Sequence, residues 1–299
     1  AEPWLKQHGR AVFKPNGDKA PKFLTYVAKQ DDNSDLLAVM TFAEDVYPEV
    51  LQEGFILQEF KEGIEVSAGG YFNGHDFLMP LAVNFEHKSF GLKPFSGPPT
   101  GEMGSASYYT NASRLFREVT AKMTPYLRKI KYHGDFDVNT IVAAEGPYAL
   151  EMTPRCGFPT VALQMNAFAD EDYGYLLYET AKGTATKVTV KQPWVVGVLL
   201  TCPPFPYDDE VKDPHSYEGW PVSGPLLTNA DLYPLAVQKK ENKVVTSGIG
   251  LICVACGAGN AVEDAKKRAY AALEKMYTPY AYARNDISDR VLEDVPELK

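Results

Sequence analysis

The sequence has few cysteines, fewer basic than acidic residues and no long apolar runs, and each of these features argues against a class of protein. Four cysteines among 299 residues are too few for a disulfide framework, which predicts a reducing, cytoplasmic setting. No stretch reaches the length of a membrane span, and we expect neither a signal peptide nor a membrane partner. The net charge of −9 argues against a nucleic-acid partner, although a small anionic substrate could still meet a local basic pocket.

What is present is the composition of a globular protein. Hydrophobic residues make up 45% of the chain and charged residues 23%, so a substantial core can form. The length of 299 residues predicts one large domain or two to three medium ones. The first nine residues lack an initiator methionine and look like the end of a helix already under way, so we expect a fragment of a longer protein.

A β-hairpin is predicted in the middle of the chain. Apolar residues alternate with polar ones over 134–142 and 148–151, and Glu145-Gly146-Pro147 between these runs is a turn signal. Other apolar patterns predict strands at 11–14, 55–60, 194–200 and 251–255, and helices at 34–41, 111–130, 161–181 and 261–276.

The polar side chains of this hairpin are the candidate metal ligands. Alternation places Asp135, Asp137 and Asn139 on one face of the first strand, and Glu151 and Thr153 on one face of the second. Pairing of the two strands can bring these faces together, and clustered oxygen ligands suit Mg²⁺. Spacing alone leaves a second interpretation open, in which the acids are the solvated side of an ordinary hairpin.

Two other segments have features of a nucleotide site. Lys14 and Lys22 flank a glycine-containing loop, which can offer backbone N–H groups and lysine charges to a phosphate. The chain has no Gly-x4-Gly-Lys-Ser/Thr motif, so solvated lysines are the alternative. The strand that begins at Phe55 turns through Gly63 to Glu65. Its backbone can hydrogen-bond a planar base and Glu65 can bind ribose hydroxyls, whereas an ordinary strand–turn–strand is the alternative.

Four patches that span nearly the whole chain carry a resemblance to a known family. They are Gln58-Glu59-Phe60 to Glu65-Val66-Ser67; Glu86-His87-Lys88 with 96–104; Leu150-Glu151 to Arg155-Cys156-Gly157-Phe158-Pro159; and 245–248 with 265–270 and Arg284-Asn285-Asp286-Ile287. In this order they resemble an ATP-grasp ligase, and more narrowly the phosphoribosylamine–glycine ligase (glycinamide ribonucleotide synthetase) family of purine biosynthesis.

On the nucleotide side, the resemblance implies that ATP is bound. Lys14 resembles the strand lysine that touches the ATP phosphates, and Lys22 resembles the lysine of the flexible loop over them. The segment Gln58-Glu59-Phe60 resembles the hinge that binds adenine, and Glu65 resembles the ribose ligand.

On the metal side, the resemblance implies a magnesium-dependent (or manganese-dependent) site. Glu151 matches the family's metal carboxylate, while Asn139 and Thr153 fall at positions of further metal ligands. Arg155 matches the arginine near the acyl phosphate and the acceptor. Arg155 and Lys22 are therefore the candidate catalytic residues.

The resemblance also implies a fold. We expect an α+β protein with an ATP-grasp domain over residues 1–190, followed by a small β-rich C-terminal domain over 191–299. The boundary is placed at a composition change near 186–193. The family's N-terminal domain, which precedes the ATP-binding part, is absent from this sequence. That absence agrees with the expectation of a fragment whose full-length chain supplies the rest.

The implied activity is an ATP-dependent carboxylate–amine ligase that forms a C–N bond through an acyl phosphate, from a small-molecule carboxylate and an amine. Three departures from the family pattern concern the metal and substrate side: Thr153 replaces an asparagine, Glu102 replaces a glycine, and Phe158-Pro159-Thr160 replaces Asp-Pro-Glu. We therefore expect substrates other than glycine and phosphoribosylamine. The alternatives are a catalytically degenerate protein that binds nucleotide as a scaffold or regulator, and an authentic purine-pathway ligase with changed motifs.

Two remaining motifs are interpreted as structural. Cys253-x-x-Cys256 lies on a predicted buried strand without a second cysteine pair, which favours packing over zinc or redox chemistry. His87 could reach a phosphate, but a structural role is the expectation.

Overall fold

The chain folds into two units, Ala1–Gly63 and Ile64–Lys299, each built around an antiparallel sheet. The computed structural model describes residues 1–17, 20–21, 24–92, 97–98, 100–168, 173–207 and 213–293. Helices and strands both contribute to each unit, so the predicted α+β class is confirmed.

The first unit is a three-stranded sheet with helices. In chain order its elements are α1 (Glu2–His8), β1 (Ala11–Pro15), β2 (Tyr26–Val27), α2 (Ser34–Val46), α3 (Pro48–Gln52) and β3 (Phe55–Glu59). The sheet order is β2-β1-β3, with β1 antiparallel to both neighbours. Its core includes the fully buried side chains of Phe13, Leu24 and Leu36.

Asn33, which precedes α2, hydrogen-bonds with its side chain to the backbone between the end of α1 and the start of β1. Its side-chain oxygen accepts a hydrogen bond from the backbone N–H of Ala11 at 2.9 Å, and its amide donates to the carbonyl of Gly9 at 2.6 Å. The residue is fully buried and adopts a φ of 58°, a conformation that asparagine tolerates better than most residues. Its amide therefore satisfies backbone groups that would otherwise be buried without partners.

The second unit contains the remaining strands and helices. Its strands are, in chain order, β4 (Ile64–Phe72), β5 (Leu81–Glu86), β6 (Gly104–Thr110), β7 (Gly134–Ala143), β8 (Gly146–Thr153), β9 (Trp194–Thr201), β10 (Glu218–Val222), β11 (Leu232–Pro234), β12 (Val237–Lys240), β13 (Lys243–Ser247) and β14 (Leu251–Gly259). Its helices are α4 (Arg114–Glu118), α5 (Thr124–Lys129), α6 (Thr160–Ala167), α7 (Tyr173–Lys182) and α8 (Val262–Leu273).

Eight of these strands form one sheet in the order β11-β14-β9-β6-β5-β4-β7-β8. All neighbours in it are antiparallel. The other three form a separate sheet in the order β10-β13-β12. The strands that carry the predicted site, β4, β7 and β8, are therefore adjacent at one end of the large sheet.

Strand β9 shows how both faces of this sheet are covered. Val195 and Leu199 pack in the core cluster that contains α6 residues, whereas Val196 and Val198 pack in the cluster that contains α8 residues. Gly197 lies between them, where a Cβ atom would be 2.2 Å from Leu163 Cδ1 of α6. A strand buried on both faces explains why its sequence is a continuous apolar run.

Some local predictions need correction. The helix predicted over 111–130 is broken into α4, a 3₁₀ turn at Thr120–Met123 and α5. Pro125 explains the break, because proline within a continuous helix would lack an N–H donor and clash with the preceding turn. At the start of α4, Ser113 caps the helix, because its hydroxyl accepts a hydrogen bond from the backbone N–H of Phe116 at 3.1 Å. The segment 161–181 forms two helices, α6 and α7, rather than one.

The structure also bears on domain organisation. Strands β9 and β14, which follow residue 190, belong to the same sheet as β4 to β8, and the division into units falls at Gly63. The domain boundary near residue 190 stays a prediction.

Among the residues that the structure describes, no helix is long and apolar enough to cross a membrane.

Candidate functional site

Strands β7 and β8 form the predicted hairpin, and their register places four polar side chains on one face. Asp137 lies opposite Thr153, and Asn139 lies opposite Glu151. The register shifts between Asn139 and Thr140, an irregularity of the kind that redirects side chains in a sheet. Asn139 is buried, whereas 63% of the Glu151 side chain is exposed.

Lys88, just beyond the end of β5, is the centre of an ionic cluster on this face. Its Nζ atom lies 2.7 Å from Glu65 Oε1 of β4, 3.3 Å from Glu86 Oε2 of β5 and 3.6 Å from Glu151 Oε1 of β8. The Asn139 amide donates to Glu65 Oε1 at 3.1 Å and to Glu86 Oε2 at 3.2 Å. Four strands thus contribute side chains to one polar cluster.

In this cluster, burial and the oppositely charged neighbours have opposite effects on the pKa of Lys88 and on that of Glu86. Burial alone would lower the pKa of Lys88, but the carboxylates of Glu86 and Glu65 outweigh it and raise the pKa above its usual value. Burial raises the pKa of Glu86, and the charge of Lys88 opposes that effect. The lysine therefore stays charged at neutral pH and compensates carboxylates that burial would otherwise destabilise.

Asp137 and Thr153 continue the site along the hairpin. Burial, followed by the charges of Asp135 and Glu86, raises the pKa of Asp137 to about 7, although a hydrogen bond from the Thr153 hydroxyl opposes the shift. Within the part of the chain that the structure describes, Oδ1 of Asp137 and Oδ1 of Asn139 are buried without a hydrogen-bond partner. Buried acceptors of this kind are uncommon unless a ligand or an ion completes them.

A polar cavity of about 260 Å³ adjoins these residues. Arg155 lines it, with its guanidinium exposed and donating to the carbonyl of Cys156 at 3.1 Å. Glu102 is buried in its wall and accepts a hydrogen bond from Ser105, and burial raises the pKa of Glu102. The remaining lining residues are Glu86, Lys88, Thr100, Gly101, Asp137, Glu151, Thr153, Gly157, Phe158 and Thr160.

The other predicted nucleotide residues lie in the first unit. Lys14 is on β1 opposite Ile56 of β3, and Gln58 is opposite Val12. Glu59 pairs with Lys61 at 2.8 Å. The Phe60 ring lies 4.2 Å below the Arg10 guanidinium, and the Phe60 N–H donates to the Arg10 carbonyl at 2.8 Å. Lys22 lies outside the described residues, so its predicted role stays a prediction.

The predicted metal residues Asn139, Glu151 and Thr153 are brought together, and Glu65 joins them through Lys88. Sequence reasoning assigned no role to Glu86 or Lys88. The signal that could have found them is their spacing, because Glu86 and Lys88 flank His87 at a strand end and therefore project to the same side. Among the described residues, no three His, Cys, Asp or Glu side chains are arranged as a ready-made metal site.

His87, between these two residues, has the structural role that we expected. It is buried, and its Nε2 accepts a hydrogen bond from the backbone N–H of Ser288 at 3.3 Å. Burial, together with the charges of Arg284 and Arg290, lowers its pKa to about 4. The ring is therefore neutral at physiological pH. Cys253 and Cys256 are likewise fully buried in the core, as expected.

We expect His87→Gln to flatten the acid dependence of stability. The depressed pKa means that the unfolded chain binds a proton below about pH 6.5 that the folded protein binds only near pH 4. This stabilising contribution is present in full above pH 6.5, declines as pH falls below 6.5, and is lost by about pH 4. Between pH 7 and 4.5 the wild type should lose about 2 kcal/mol more unfolding free energy than His87→Gln, measured by urea denaturation. Exposed His75→Gln is the control, and equal slopes for all three proteins would contradict the prediction.

Known proteins of similar sequence include ligases of two bacteria. No protein-family model matches the chain. The phosphoribosylamine–glycine ligase of Listeria innocua is 23% identical over 306 residues, which cover 97% of this chain and 69% of that protein. The corresponding ligase of Xanthomonas campestris is 26% identical over 257 residues, 79% of this chain and 56% of that protein.

Solved structures show the same relationship at the level of fold. The phosphoribosylamine–glycine ligase of Thermotoga maritima has a TM-score of 0.67 at 23% identity, covering 93% of this chain and 68% of that one. The biotin carboxylase domain of Hydrogenobacter thermophilus 2-oxoglutarate carboxylase, solved with MgADP, has a TM-score of 0.58 at 13% identity. The match covers 99% of this chain and 67% of that one. The N5-carboxyaminoimidazole ribonucleotide synthetase of Thermus thermophilus has a TM-score of 0.54 at 15% identity. The match covers 91% of this chain and 63% of that one.

The chain therefore has the ATP-grasp fold, as its sequence predicted. Within that class it is a homologue of the phosphoribosylamine–glycine ligases, and it spans between 56% and 69% of the length of the two relatives described above.

Proposed function

We propose that this chain is the ATP-binding part of an ATP-dependent carboxylate–amine ligase. The observation that carries the proposal is the convergence of Asn139, Glu151 and Thr153 on one face of a hairpin, beside Arg155 and a polar cavity, within an ATP-grasp fold. The relatives are ligases by name, and one structural neighbour was solved with MgADP. The finer proposal is that a small carboxylate and an amine are joined through an acyl phosphate.

A divalent cation, Mg²⁺ or Mn²⁺, fits the oxygen atoms of the hairpin. The buried Oδ1 atoms of Asp137 and Asn139 have no hydrogen-bond partner in the described part of the chain, and the Glu151 carboxylate lies opposite Asn139. Carboxylate, amide and hydroxyl oxygens are the ligand types that Mg²⁺ accepts, and when bound it neutralises charge on nucleotide phosphates. We propose Glu151, Asn139 and Thr153 as its ligands.

The residues of the first unit are proposed to hold the nucleotide. Lys14 on β1 and Lys22 would contact phosphates as point charges. The segment Gln58-Glu59-Phe60 at the end of β3 would contact adenine through its backbone. Glu65, on β4 of the second unit, would accept hydrogen bonds from ribose hydroxyls.

The proposed reaction depends more on positioning the reactants and compensating their charge than on a general base. ATP supplies the phosphoryl group that activates a carboxylate for capture by an amine. Arg155, exposed in the cavity, can hold a carboxylate or phosphoryl oxygen with its paired N–H donors, and Lys22 is its proposed catalytic partner. The cavity of about 260 Å³ has room for a small polar substrate. Phe158 and Glu102 in its wall occupy the positions where the sequence departs from the family pattern, which supports substrates other than glycine and phosphoribosylamine.

The test is release of ADP by the purified protein with ATP, Mg²⁺ and a matrix of candidate carboxylates and amines. We expect ADP release that requires one particular carboxylate and amine together. ATP binding by the full-length protein without turnover for any pair would instead favour the nucleotide-binding scaffold. Growth of a purine-requiring strain that lacks phosphoribosylamine–glycine ligase would identify the chain with the authentic pathway enzyme, contrary to the expected change of substrate.

Thr153→Asn tests the metal assignment of the hairpin. An asparagine can still donate to Asp137 through its amide and adds a carbonyl oxygen, a better cation ligand than the hydroxyl. The Mg²⁺ concentration for half-maximal ADP release should fall about three- to tenfold. Exposed Thr228→Asn should leave the Mg²⁺ titration unchanged. A titration of Thr153→Asn identical to the wild type would place Thr153 outside the metal site.

A further inference from the structure

The position of the Lys88 ammonium has a consequence for the proposed cation site. It is held between carboxylates from three strands, Glu65, Glu86 and Glu151, at 2.7, 3.3 and 3.6 Å. Lys88 also lines both the cavity of about 260 Å³ and a neighbouring cavity of about 430 Å³. The ammonium therefore occupies a place where the carboxylates would otherwise repel one another.

The three carboxylates are not held equally. Glu65 and Glu86 each accept a second hydrogen bond from the Asn139 amide, at 3.1 and 3.2 Å. Their side chains are 30% and 14% exposed, whereas that of Glu151 is 63% exposed and makes the longest contact with Lys88. Glu151 is accordingly the member of the cluster that can leave Lys88 at least cost.

Glu151 is also the carboxylate that the proposed function assigns to the divalent cation as a ligand. A divalent cation at Glu151 and an ammonium on the same carboxylate repel each other, since both carry positive charge within a few ångströms. The two cations therefore compete for one ligand. Glu65 and Glu86 provide an alternative for Lys88, because both remain within reach of its ammonium after Glu151 has turned away.

We propose that Lys88 is the resident counter-ion of the cation site. Its ammonium holds Glu151 when no divalent cation is bound, and it releases Glu151 to the cation while keeping Glu65 and Glu86. Lys88 is thus a positioning residue that acts on the metal through Glu151. The inference rests on the proposed function for the existence of the cation site, and adds the competition to it.

The experiment measures Mn²⁺ binding to the purified protein without nucleotide, by the electron paramagnetic resonance signal of free Mn²⁺. Lys88→Met removes the competing charge and keeps the length of the side chain, so Mn²⁺ should bind about tenfold more tightly than to the wild type. Lys88→Arg keeps the charge and should restore weak binding. Lys129→Met, at an exposed position of α5, corrects for the general loss of a positive charge. Equal or weaker Mn²⁺ binding by Lys88→Met overturns the proposal.

Further variants separate the possible failures. If Lys88→Met does not fold, Lys88→Met with Glu65→Gln removes one carboxylate along with the ammonium, and the same tightening relative to Glu65→Gln alone is expected. Glu151→Gln reports on the cation site itself. If Glu151→Gln leaves Mn²⁺ binding unchanged, the proposed cation site fails and this inference fails with it. If Glu151→Gln weakens Mn²⁺ binding but Lys88→Met does not strengthen it, only the competition is overturned.

Discussion

Replacement of Glu151 by glutamine should lower ATP turnover about 10²- to 10³-fold while the protein remains folded. The change keeps the shape of the side chain but removes the negative charge that the proposed cation needs. Because 63% of the side chain is exposed and its contact with Lys88 is 3.6 Å long, the unfolding free energy should change by about 0.5 kcal/mol or less. ADP release and urea denaturation measure the two effects separately.

Glu145→Gln is the matched control for this substitution. Glu145 lies at the turn of the same hairpin and is exposed, so the variant makes the same chemical change away from the polar face. Its turnover and stability should equal those of the wild type. Turnover by Glu151→Gln at the level of Glu145→Gln would exclude the metal role of Glu151.

Gly69→Ala should be the most destabilising of the proposed substitutions. Gly69 on β4 lies opposite Asp137 of β7, and a Cβ atom there would be 2.2 Å from the Phe136 carbonyl oxygen and 2.5 Å from the Asp137 Cα. These are backbone atoms, so β7 would have to move away from β4 and carry the polar residues of the hairpin with it. We expect a loss of about 3 kcal/mol in unfolding free energy, measured by urea denaturation.

The neighbouring glycine supplies the control. At Gly70 the nearest atom to an added Cβ would be Leu81 Cδ2 at 3.7 Å, an ordinary packing distance. Gly70→Ala should therefore be neutral within about 1 kcal/mol, since it adds a methyl group and reduces the entropy of the unfolded chain. Equal stability of the two variants would contradict the close approach of β4 to β7.

The hairpin could be predicted because its signals are local. Alternation along 134–142 and 148–151 determined which side chains share a face, and the pairing of Asn139 with Glu151 confirmed it. The turn itself was predicted one residue too far along: Ala143 pairs with Gly146, so the turn residues are Ala144 and Glu145. Pro147 is accommodated within β8 because that strand is at the edge of the sheet, where a missing N–H donor is tolerated.

The ionic cluster around Lys88 could not be predicted in the same way. Glu65, Lys88 and Glu151 meet only because the sheet has the order β5-β4-β7-β8, in which β4 pairs with β7, a strand much later in the chain. Alternation specifies the face of a side chain but not which strands are neighbours. The resemblance supplied the ATP-grasp fold and candidate roles, yet it assigned nothing to Lys88. The roles of Lys14, Lys22 and Arg155 remain predictions.

The position of β8 at the edge of the sheet gives the site one rigid side and one compliant side. Glu65 and Glu86 stand on β4 and β5, each of which is hydrogen-bonded to a strand on both flanks. Within the described part of the chain, Glu151 and Thr153 stand on an edge strand of the large sheet that pairs with β7 alone. Substitutions along β8 therefore disturb fewer backbone hydrogen bonds than substitutions along β4. Evolution of ligand preference could proceed on β8 with little cost to folding, while β4 and β5 keep the charges in place.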